Sequence, residues 1–478
     1  MGWPLCYRIM DMSTRECLTR HTLNATVLIA LAGIAHADPN DEPVSGQIIA
    51  ELVPGASVNT FNGRYGTSTL DSIASRNIYL LSLPEGMTRD EFEILTFGDL
   101  DLDHFELNFS ATDPGGDTRS FYGGRSTNDY RGQAAASALN LPQAHSISTG
   151  SGVTVAVIDT GVDADHVALV SNLVQGWNFV TNTGQTDDVP RGVDSSGNGN
   201  PDEFVGHGTM IAGMIHLVAP DAQIMPIVAL DSDGRTTSFT VAKAIYYAID
   251  KRVNVINLSL GTSAPDEDVL VLRDAVDEAR RHWITVVASA GNLGHTGNDQ
   301  YPAAFQENRS LAVGACDWQD QVADFTNIGD HVIVTAPGID TIGTFVDGGY
   351  QIGEGTSFST AWVSGTAALI NAVGWDHSPR KVARHIERSA APFNNLPLHL
   401  EGLVGGGVLD AHGALLEHTE EPPCPADMND DDMLSPTDFT AWVIAYQDGD
   451  FSADQNRDRY LTPSDFTAWI TNFNIGCQ

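Results

Sequence analysis

Short apolar runs rich in β-branched residues recur from residue 133 to residue 416 and alternate with longer amphipathic stretches. The apolar runs are VTVAVID (153–159), IMPIVAL (224–230), VNVINLSL (253–260), ITVVASAG (284–291) and VIVTAPG (332–338). Two of the stretches between them, SFTVAKAIYYAIDKR and DEDVLVLRDAVDEARRHW, have helical spacing. Continuous apolar strands separated by helices predict an α/β fold, with a parallel sheet covered by helices on both faces. Functional sites in such sheets collect at the carboxyl ends of the strands.

The flanks of this region divide into shorter segments. Residues 38–110 have short alternating runs around the helix-like TSTLDSIAS, a pattern that predicts a small α+β domain. Residues 111–132 are polar and glycine-rich, which is typical of an exposed linker. Residues 417–423 form an acidic, proline-ended break, and residues 424–478 form a tail with an internal repeat. The sequence therefore predicts one large α/β domain, 133–416, between two small modules.

The charge balance of the 478-residue chain is strongly acidic. Asp and Glu residues number 62 against 24 Lys and Arg, which gives a formal net charge of −38. Such a surface repels nucleic acid and anionic membranes, so neither is expected as a partner. The excess suits an exported protein that holds calcium, and it suits equally well a need for solubility or a salty habitat.

An apolar run near the N-terminus, LNATVLIALAGIAHA (23–37), follows two arginines and ends in the small-x-small pattern AHA. This pattern predicts a secretory signal peptide over residues 1–37, with Met10 and Met12 as alternative starts. No other run is long enough for a membrane helix. We therefore expect a secreted protein, extracellular or associated with the cell surface.

Cysteine usage agrees with export, because disulfides persist outside the cytosol. Of the five cysteines, Cys6 and Cys17 leave with the signal peptide, and Cys316 lies alone in a strand-like run. Cys424 and Cys477 bracket the C-terminal tail, which makes them the one plausible disulfide pair.

Three positions in the α/β region have the residue types of nucleophilic catalysis. Asp159 ends the run VTVAVID, His207 lies between glycines in GHGTMIAGMI, and Ser357 lies in GTS before a run of small residues. A serine hydroxyl attacks well when a histidine takes its proton, and the histidine needs an acid to hold its tautomer and orientation. The Gly-x-Ser-x-Gly elbow of an α/β-hydrolase is excluded, because Ser359 stands where its second glycine would be and the acid and histidine precede the serine.

The blocks VAVIDTGVD, GHGTMIAGMI and GTSFSTAWVSGTAALI, with NLSLG and VVASAGN between them, make residues 135–416 resemble the subtilisin-like serine proteases. The resemblance implies a subtilisin-like fold and a serine endopeptidase that acts on polypeptides and needs no cofactor for its chemistry. Carried over by motif, Asp159 is the orienting acid, His207 the general base and Ser357 the nucleophile. Asn292, which ends VVASAGN, matches the side-chain donor to the oxyanion. The resemblance also implies a substrate-binding edge and pocket wall that include Ser259, Leu260, Gly261, Ala288 and Gly291.

Ser359 and His166 are the alternatives for the nucleophile and the base. Two steps along an α-helix turn about 200°, so Ser359 faces away from the site if Ser357 faces it. His166 lacks the glycine setting and is interpreted as structural. The chain departs from the family pattern at Ala361-Trp362, where Pro-His is common, and Trp362 is expected to add bulk beside the site.

Residues 38–110 match, in size, pattern and position, the propeptide with which subtilisin-like proteases are made. Such a propeptide assists folding and blocks the site until it is cut, and the linker at 111–132 is the expected processing region. A permanent N-terminal domain is the alternative.

The tail contains one twelve-residue pattern twice, as DMNDDDMLSPTD (427–438) and DQNRDRYLTPSD (454–465). Oxygen-bearing side chains fall at positions 1, 3, 5, 9 and 12, the EF-hand spacing for a hard cation such as Ca²⁺, and position 7 offers its backbone carbonyl. The candidate ligands are therefore Asp427, Asn429, Asp431, Met433, Ser435, Asp438, Asp454, Asn456, Asp458, Tyr460, Thr462 and Asp465. DFTAW follows each loop and places a Phe and a Trp on one helical face, so the two helices can pack together.

This tail resembles the dockerin-type calcium module, a small α-helical EF-hand pair, and the resemblance implies a cohesin-like or cell-surface partner. Position 6 of the loops, usually glycine, is Asp432 in the first and Arg459 in the second. This departure is expected to weaken binding, more in the second loop because arginine tolerates positive φ poorly. A further acidic stretch, DSSGNGNPDE (194–203), is either another calcium loop or a plain surface loop.

A rival function is a catalytically silent surface protein that keeps the fold and binds partners through its tail. Loss of activity usually removes the acid, the base, the nucleophile or the oxyanion donor. All four residue types are present, which favours a secreted, calcium-binding serine endopeptidase.

Overall fold

The computed structural model describes residues 42–112, 121–295, 299–305, 310–373, 378–420, 424–429, 433–447, 449–456 and 460–476. The predicted signal peptide lies outside these residues.

The N-terminal part of the described chain is an antiparallel sheet with two helices. Its elements are β1 (Pro43–Leu52), α1 (Val58–Tyr65), β2 (Ser68–Ile73), β3 (Ile78–Ser82), α2 (Arg89–Thr96) and β4 (Leu102–Thr112). The strand order is β2-β3-β1-β4. The stretch TSTLDSIAS was expected to be helical, and this prediction is wrong for most of it: residues 68–73 form β2, which pairs antiparallel with β3, and only its last two residues lie in a short 3-10 helix. Tertiary pairing of this kind overrides a weak local preference.

A fully parallel sheet of seven strands forms the centre of the α/β region. Its strands are β6 (Thr154–Asp159), β7 (Trp177–Asn178), β8 (Gln223–Val228), β10 (Val255–Leu258), β11 (Thr285–Ser289), β12 (Leu311–Cys316) and β13 (Val332–Pro337). The order is β13-β12-β11-β10-β6-β8-β7, and every neighbouring pair is parallel. This sheet confirms the predicted α/β architecture.

Helices cover both faces of the parallel sheet. The long ones are α6 (His207–Val218), α7 (Ser238–Asp250), α8 (Leu270–Arg281), α9 (Thr356–Asn371), α10 (Pro379–Ser389) and α11 (Ala411–Glu420). Because neighbouring side chains of a strand point to opposite faces, Val157 of β6 packs in the core with α6 and α9, whereas Ile158 packs in the core with α7 and α8. Every residue of α9 is buried. Helices α6 and α9 therefore lie on the same face of the parallel sheet.

Short elements complete this domain at its edges. They are β5 (Phe121–Tyr122), α3 (Thr127–Arg131), α4 (Ala134–Ala138), α5 (Leu141–Ala144), β9 (Arg235–Thr237), β14 (Thr341–Phe345) and β15 (Gly349–Gly353). Part of the predicted linker 111–132 is folded, because β5 pairs with β15 and the buried Tyr130 donates its hydroxyl hydrogen to the Gly213 carbonyl at 2.6 Å. Helix α11 likewise continues into the predicted break at 417–423.

The C-terminal module contains α12 (Pro436–Gln447) and α13 (Pro463–Ile475), which pack through aromatic side chains. Ring centroids of Phe439 and Trp469 are 5.4 Å apart, and those of Trp442 and Phe466 are also 5.4 Å apart. Cys424 is part of a disulfide, and its predicted partner Cys477 lies outside the described residues. Among the described helices, none combines the length and the apolar composition that crossing a bilayer requires.

Candidate active site

Asp159 and His207 meet at the carboxyl edge of the parallel sheet. Asp159 is the last residue of β6, and His207 is the first residue of α6. Oδ1 of Asp159 lies 2.8 Å from Nδ1 of His207 and also accepts the N–H of Thr160 at 2.8 Å. Both side chains are buried, at 1% and 0% exposure. A buried carboxylate on Nδ1 fixes the ring orientation and directs Nε2 to the opposite side of the imidazole.

Close packing explains the glycines on either side of His207. A methyl group on Gly208 would lie 2.2 Å from the carbonyl oxygen of Gly161 and 3.0 Å from Oδ1 of Asp159. A methyl group on Gly206, which has φ 99°, would lie 2.1 Å from the Phe345 ring. Without a side chain at either position, the backbone can approach Asp159 at Gly208 and the Phe345 ring at Gly206 this closely.

Asp188 holds the start of α6 and was not singled out from the sequence. Its Oδ2 accepts the N–H of Gly206 at 3.0 Å, and the N–H and hydroxyl of Thr209 at 3.2 and 2.8 Å. Burial raises the pKa of Asp188 to about 6, against the lowering effect of the bonds from Gly206 and Thr209, and the charge of Asp159 adds to the rise. Asp188 is thus a buried cap on the helix that carries His207.

Ser357 is the second residue of α9, behind Gly355 with φ 142°. The next residue, Phe358, packs its ring against the ring of His207, with centroids 5.7 Å apart. This contact joins the N-terminal ends of α6 and α9, so Ser357 and His207 belong to one site. Ser259 supports Ser357 from the sheet, since its Oγ donates to the Ser357 carbonyl at 3.1 Å.

Asn292 follows β11 and lies beside the same end of α9. Its Oδ1 accepts both the N–H and the hydroxyl of Thr356, each at 2.8 Å. A methyl group on Gly355 would lie 3.0 Å from Nδ2 of Asn292. The amide NH₂ therefore faces the loop just before Ser357, where an oxyanion donor is needed.

The predicted substrate-binding residues divide into two kinds. The backbone edge of Gly261 is paired with Thr112: the Thr112 N–H donates to the Gly261 carbonyl at 3.0 Å, and the Gly261 N–H donates to the Thr112 carbonyl at 2.9 Å. The side chains of Leu260 and Ala288 lie in the hydrophobic core instead. Ala288 pairs through its backbone with both Leu258 and Ala312 within the sheet. Gly291, after the strand, remains at the sheet edge.

The alternatives considered from the sequence lie elsewhere. The Ser359 hydroxyl donates to the carbonyl of Ala336 in β13 at 2.9 Å. His166 is fully buried, with Nε2 3.0 Å from the carbonyl oxygen of Gly349 and Nδ1 accepting the N–H of Ala168. Trp362 is fully buried in the core that also contains residues of α6.

Comparison with known proteins agrees with this geometry. A model of the subtilase family, peptidase S8, matches residues 150–413. Thermitase from Thermoactinomyces vulgaris is 36% identical over 262 residues, which cover 53% of this chain and 86% of that protein. The chain belongs to the subtilase family. Subtilisin BL from Lederbergia lenta is 33% identical over 278 residues, which cover 56% of this subtilase and 94% of that protein.

A solved structure also resembles this subtilase. The crystal structure of fervidolysin from Fervidobacterium pennivorans, a keratinolytic enzyme related to subtilisin, superposes with a TM-score of 0.62. The match covers 79% of this chain and 62% of that chain at 22% identity. At this identity the likeness shows the fold alone. The family and its relatives make this subtilase a serine endopeptidase, a hydrolase of peptide bonds.

The two C-terminal loops of the subtilase have matching hydrogen bonds. Asp438 accepts the N–H groups of Asn429 at 3.4 Å and Ser435 at 2.7 Å. Asp465 repeats this pattern with the N–H groups of Asn456 at 3.3 Å and Thr462 at 2.8 Å. The first and last aspartates of both loops, Asp427, Asp438, Asp454 and Asp465, are buried. The side chains of Met433 and Tyr460 are exposed, as expected of residues that offer only a backbone carbonyl.

The loop residues Asp431, Asp432, Asp458 and Arg459 lie outside the described residues. Within the described part of the chain, no group of three or more His, Cys, Asp or Glu side chains is arranged to hold a metal ion. In the acidic stretch 194–203, Asp202 accepts the N–H groups of Arg191 and Gly192 at 2.9 and 3.0 Å.

Proposed function

We propose that this subtilase is a secreted endopeptidase in which Ser357 is the nucleophile, His207 the general base and Asp159 the orienting acid. The single observation that carries the assignment is the buried Asp159–His207 pair, 2.8 Å apart, at the helix end that contacts the start of α9. Ser357 Oγ attacks the peptide carbonyl carbon while His207 Nε2 takes its proton. His207 then gives that proton to the leaving amine, and water hydrolyses the acyl-enzyme by the reverse proton movements.

Two donors stabilise the oxyanion that forms during this attack. One is Nδ2 of Asn292, whose partner atom Oδ1 is held by Thr356. The other is the N–H of Ser357, which lies in the first turn of α9, where amides have no acceptor within the helix. Both donors are in place before substrate binds, so little reorganisation accompanies the reaction.

The rival hypothesis is a surface protein that has the fold but no activity. Purified protein should hydrolyse casein, and a serine-directed phosphonate should abolish the hydrolysis and label Ser357. A Ser357→Ala preparation is the matched control for contaminating proteases. A folded protein that neither cleaves casein nor takes up the phosphonate would support the rival.

We further propose that the N-terminal sheet is an inhibitory propeptide. Its last strand, β4, ends on the edge of the protease domain: residues 110–112 pair antiparallel with β9, and Thr112 pairs with Gly261 on the other side. A peptide strand inserted between these two edges occupies the place expected for substrate backbone. Substrate cannot use the edge of Gly261 while Thr112 occupies it.

The same strand caps two helices of the protease domain, which supports a role in folding. Oδ1 of Asn108 accepts the N–H of Phe239 in the first turn of α7 at 3.3 Å. The carboxylate of Glu106 accepts the N–H of Val271 in the first turn of α8, at 3.3 and 3.2 Å. A segment that satisfies both helix ends favours their formation.

We propose that the C-terminal module binds Ca²⁺ in its two loops and serves stability or docking. Burying two carboxylates in one loop is unfavourable unless a cation or hydrogen bonds compensate them, and the oxygen-rich donor set suits a hard cation. Asp427, Asn429, Ser435, Asp438 and the Met433 carbonyl would hold the first ion, with Asp431 from outside the described residues. Asp454, Asn456, Thr462, Asp465 and the Tyr460 carbonyl would hold the second, with Asp458.

Calorimetry on the full chain with Ser357→Ala tests the calcium proposal without self-digestion. Calcium should raise the melting temperature of the module, and a chelator should remove that rise. A melting profile that is the same with calcium and with chelator would contradict the calcium proposal. The proposal also includes a cohesin-like or cell-surface partner for the C-terminal module. It further includes export directed by residues 1–37. If these residues are removed on export, the N-terminus of protein purified from the culture medium should lie after Ala37.

A further inference from the structure

The C-terminal module and the protease domain face each other across a cleft of about 610 Å³. The protease wall of this cleft contains the last turn of α8 and the start of α10, with Arg280, Arg281 and Arg380. The chain has 24 Lys and Arg residues against 62 Asp and Glu residues, so three arginines at one place run against its overall charge. This wall is therefore a positive patch on an acidic protein.

The wall on the module side carries the opposite charge. It is lined by Asp427, Asp450 and Asp454, and two of these, Asp427 and Asp454, are the first residues of the two proposed calcium loops. Oδ2 of Asp450 lies 3.7 Å from Nη1 of Arg280, and the two side chains are 17% and 39% exposed. Arginines in the last turn of a helix interact favourably with its dipole, but this explains neither the ion pair nor the acidic wall opposite. The two walls are electrostatically complementary.

Close packing contributes little to this contact. Ile444 of α12 lines the cleft on the module side and is still 53% exposed. The contact therefore depends mainly on charge, and the attraction between partly exposed charges is modest. The module nevertheless stays near the arginines, because α11 ends at Glu420 and the module begins at Cys424. Such a short connection gives the module a high effective concentration at the cleft.

We propose that calcium binding to the module weakens this contact and releases the module from the arginines. Each bound Ca²⁺ adds two positive charges, so two ions more than offset the charge of Asp427, Asp450 and Asp454. By linkage, docking lowers the calcium affinity of the loops by the same factor by which calcium weakens docking. Docking also keeps a bulky partner from the side of α12 that lines the cleft. This inference rests on the proposed calcium sites.

Calorimetric titration of calcium into the full chain with Ser357→Ala tests the coupling through one variant on each wall. Arg280→Gln and Asp450→Asn each remove one charge of the ion pair, and each should lower the calcium concentration at half saturation by about threefold. Asp450→Asn is the sharper variant. Loss of a nearby negative charge by itself weakens calcium binding, so tighter binding has to come from release of the module. This variant also keeps a side-chain oxygen for the Ser452 N–H, which Asp450 accepts at 2.8 Å.

Two controls accompany the titration. Arg388→Gln, a change at an exposed position of α10 outside the cleft, should leave the titration as in the parent protein. Asp438→Asn together with Asp465→Asn should remove the calcium heat of the module and leave that of any site elsewhere. If this double variant titrates like the parent protein, the proposed calcium sites are wrong. If those sites bind calcium but Asp450→Asn weakens the binding or leaves it unchanged, the coupling is wrong.

Oxidative footprinting of Trp283 measures the contact itself, because this side chain lies on the protease wall of the cleft. Calcium should raise its oxidation rate by about twofold or more, and Asp450→Asn should raise the rate already in chelator. Trp318, which is 48% exposed and does not line the cleft, is the internal control. The calcium comparison needs no variant other than Ser357→Ala, so it decides the matter even where a substitution prevents folding. A rate at Trp283 that calcium leaves unchanged, in protein that binds calcium at the module, would overturn the inference.

Discussion

The backbone N–H and the hydroxyl of Thr356 both donate to Oδ1 of Asn292, each across 2.8 Å. A backbone N–H can only donate, so the side-chain oxygen of Asn292 has to face Thr356 and the NH₂ has to face the other way. Thr356 therefore acts as a positioning residue: it aims the proposed oxyanion donor while making no contact with the reacting carbonyl itself.

Removing the Thr356 hydroxyl should lower kcat rather than raise KM. In Thr356→Val one of the two bonds that orient Asn292 is lost, and we expect kcat to fall by about tenfold with KM little changed, because the donor acts mainly in the transition state. Thr356→Ser keeps the hydroxyl and should recover most of the loss. Steady-state kinetics on one fluorogenic peptide measures both quantities.

The benchmark for this series is Asn292→Leu. Removing one oxyanion donor costs on the order of 10²–10³-fold in kcat in proteases of the subtilisin type. If Thr356→Val raised KM without lowering kcat, or if Thr356→Ser were as slow as Thr356→Val, the positioning role would be wrong.

Asp188 should make stability depend on pH between about 4 and 6. Its pKa is raised by burial from 3.8 to about 6, so the folded protein holds a proton in this range that the unfolded chain has released. Its stabilising contribution is therefore complete below pH 4 and is lost as pH rises through 6. The amide that replaces the carboxyl group cannot titrate, so the Asp188→Asn variant does not lose this contribution. The unfolding free energy of Asp188→Asn minus that of wild type should therefore increase by on the order of 3 kcal/mol between pH 4 and pH 7.

Chemical denaturation of both proteins in a Ser357→Ala background, at several pH values, measures this difference without self-digestion. A constant difference between the two proteins from pH 4 to pH 7 would show that Asp188 keeps an ordinary pKa.

The sequence predicted the parts of the fold and site that have local patterns. Continuous apolar runs predicted the parallel strands, and the glycines beside His207 marked a close approach that the structure explains through Gly161 and Asp159. Asp188 has no such pattern: its partners Gly206 and Thr209 are 18 and 21 residues further along the chain. Periodicity was also insufficient for β2, whose strand form depends on pairing with β3.

Glu106 should make binding of the N-terminal segment weaker as pH rises. Burial against the start of α8 raises the pKa of Glu106 to about 8; the N–H groups of Val271 and Leu270 oppose the rise, and Asp274 and Asp268 add to it. The released segment regains an ordinary pKa near 4.5, so binding takes up a proton between these values. The inhibition constant of an added 42–112 segment against mature enzyme should therefore increase with pH, by up to about tenfold per unit.

Glu106→Gln cannot titrate and should flatten this dependence relative to the wild-type segment. Glu51 and Asp274 lie near the same interface and also have raised pKa values, chiefly through burial, so some slope should persist in the variant. The prediction concerns the difference between the two segments. Identical slopes from pH 5 to pH 8 would contradict it.

Ser357 and Ser359 should respond in opposite ways to loss of their hydroxyl groups. Ser357→Ala should reduce peptide hydrolysis to the small rate that the oxyanion donors and substrate binding still support. If the enzyme removes residues 38–110 itself, this variant should also accumulate as the longer precursor.

Ser359→Ala loses one buried hydrogen bond, to the carbonyl of Ala336, which is worth about 1 kcal/mol of stability. It should mature and keep its turnover within about tenfold of wild type. Turnover and gel size, measured on both purified variants, decide the matter: full activity in Ser357→Ala, or a folded but inactive Ser359→Ala, would overturn the assignment of the nucleophile.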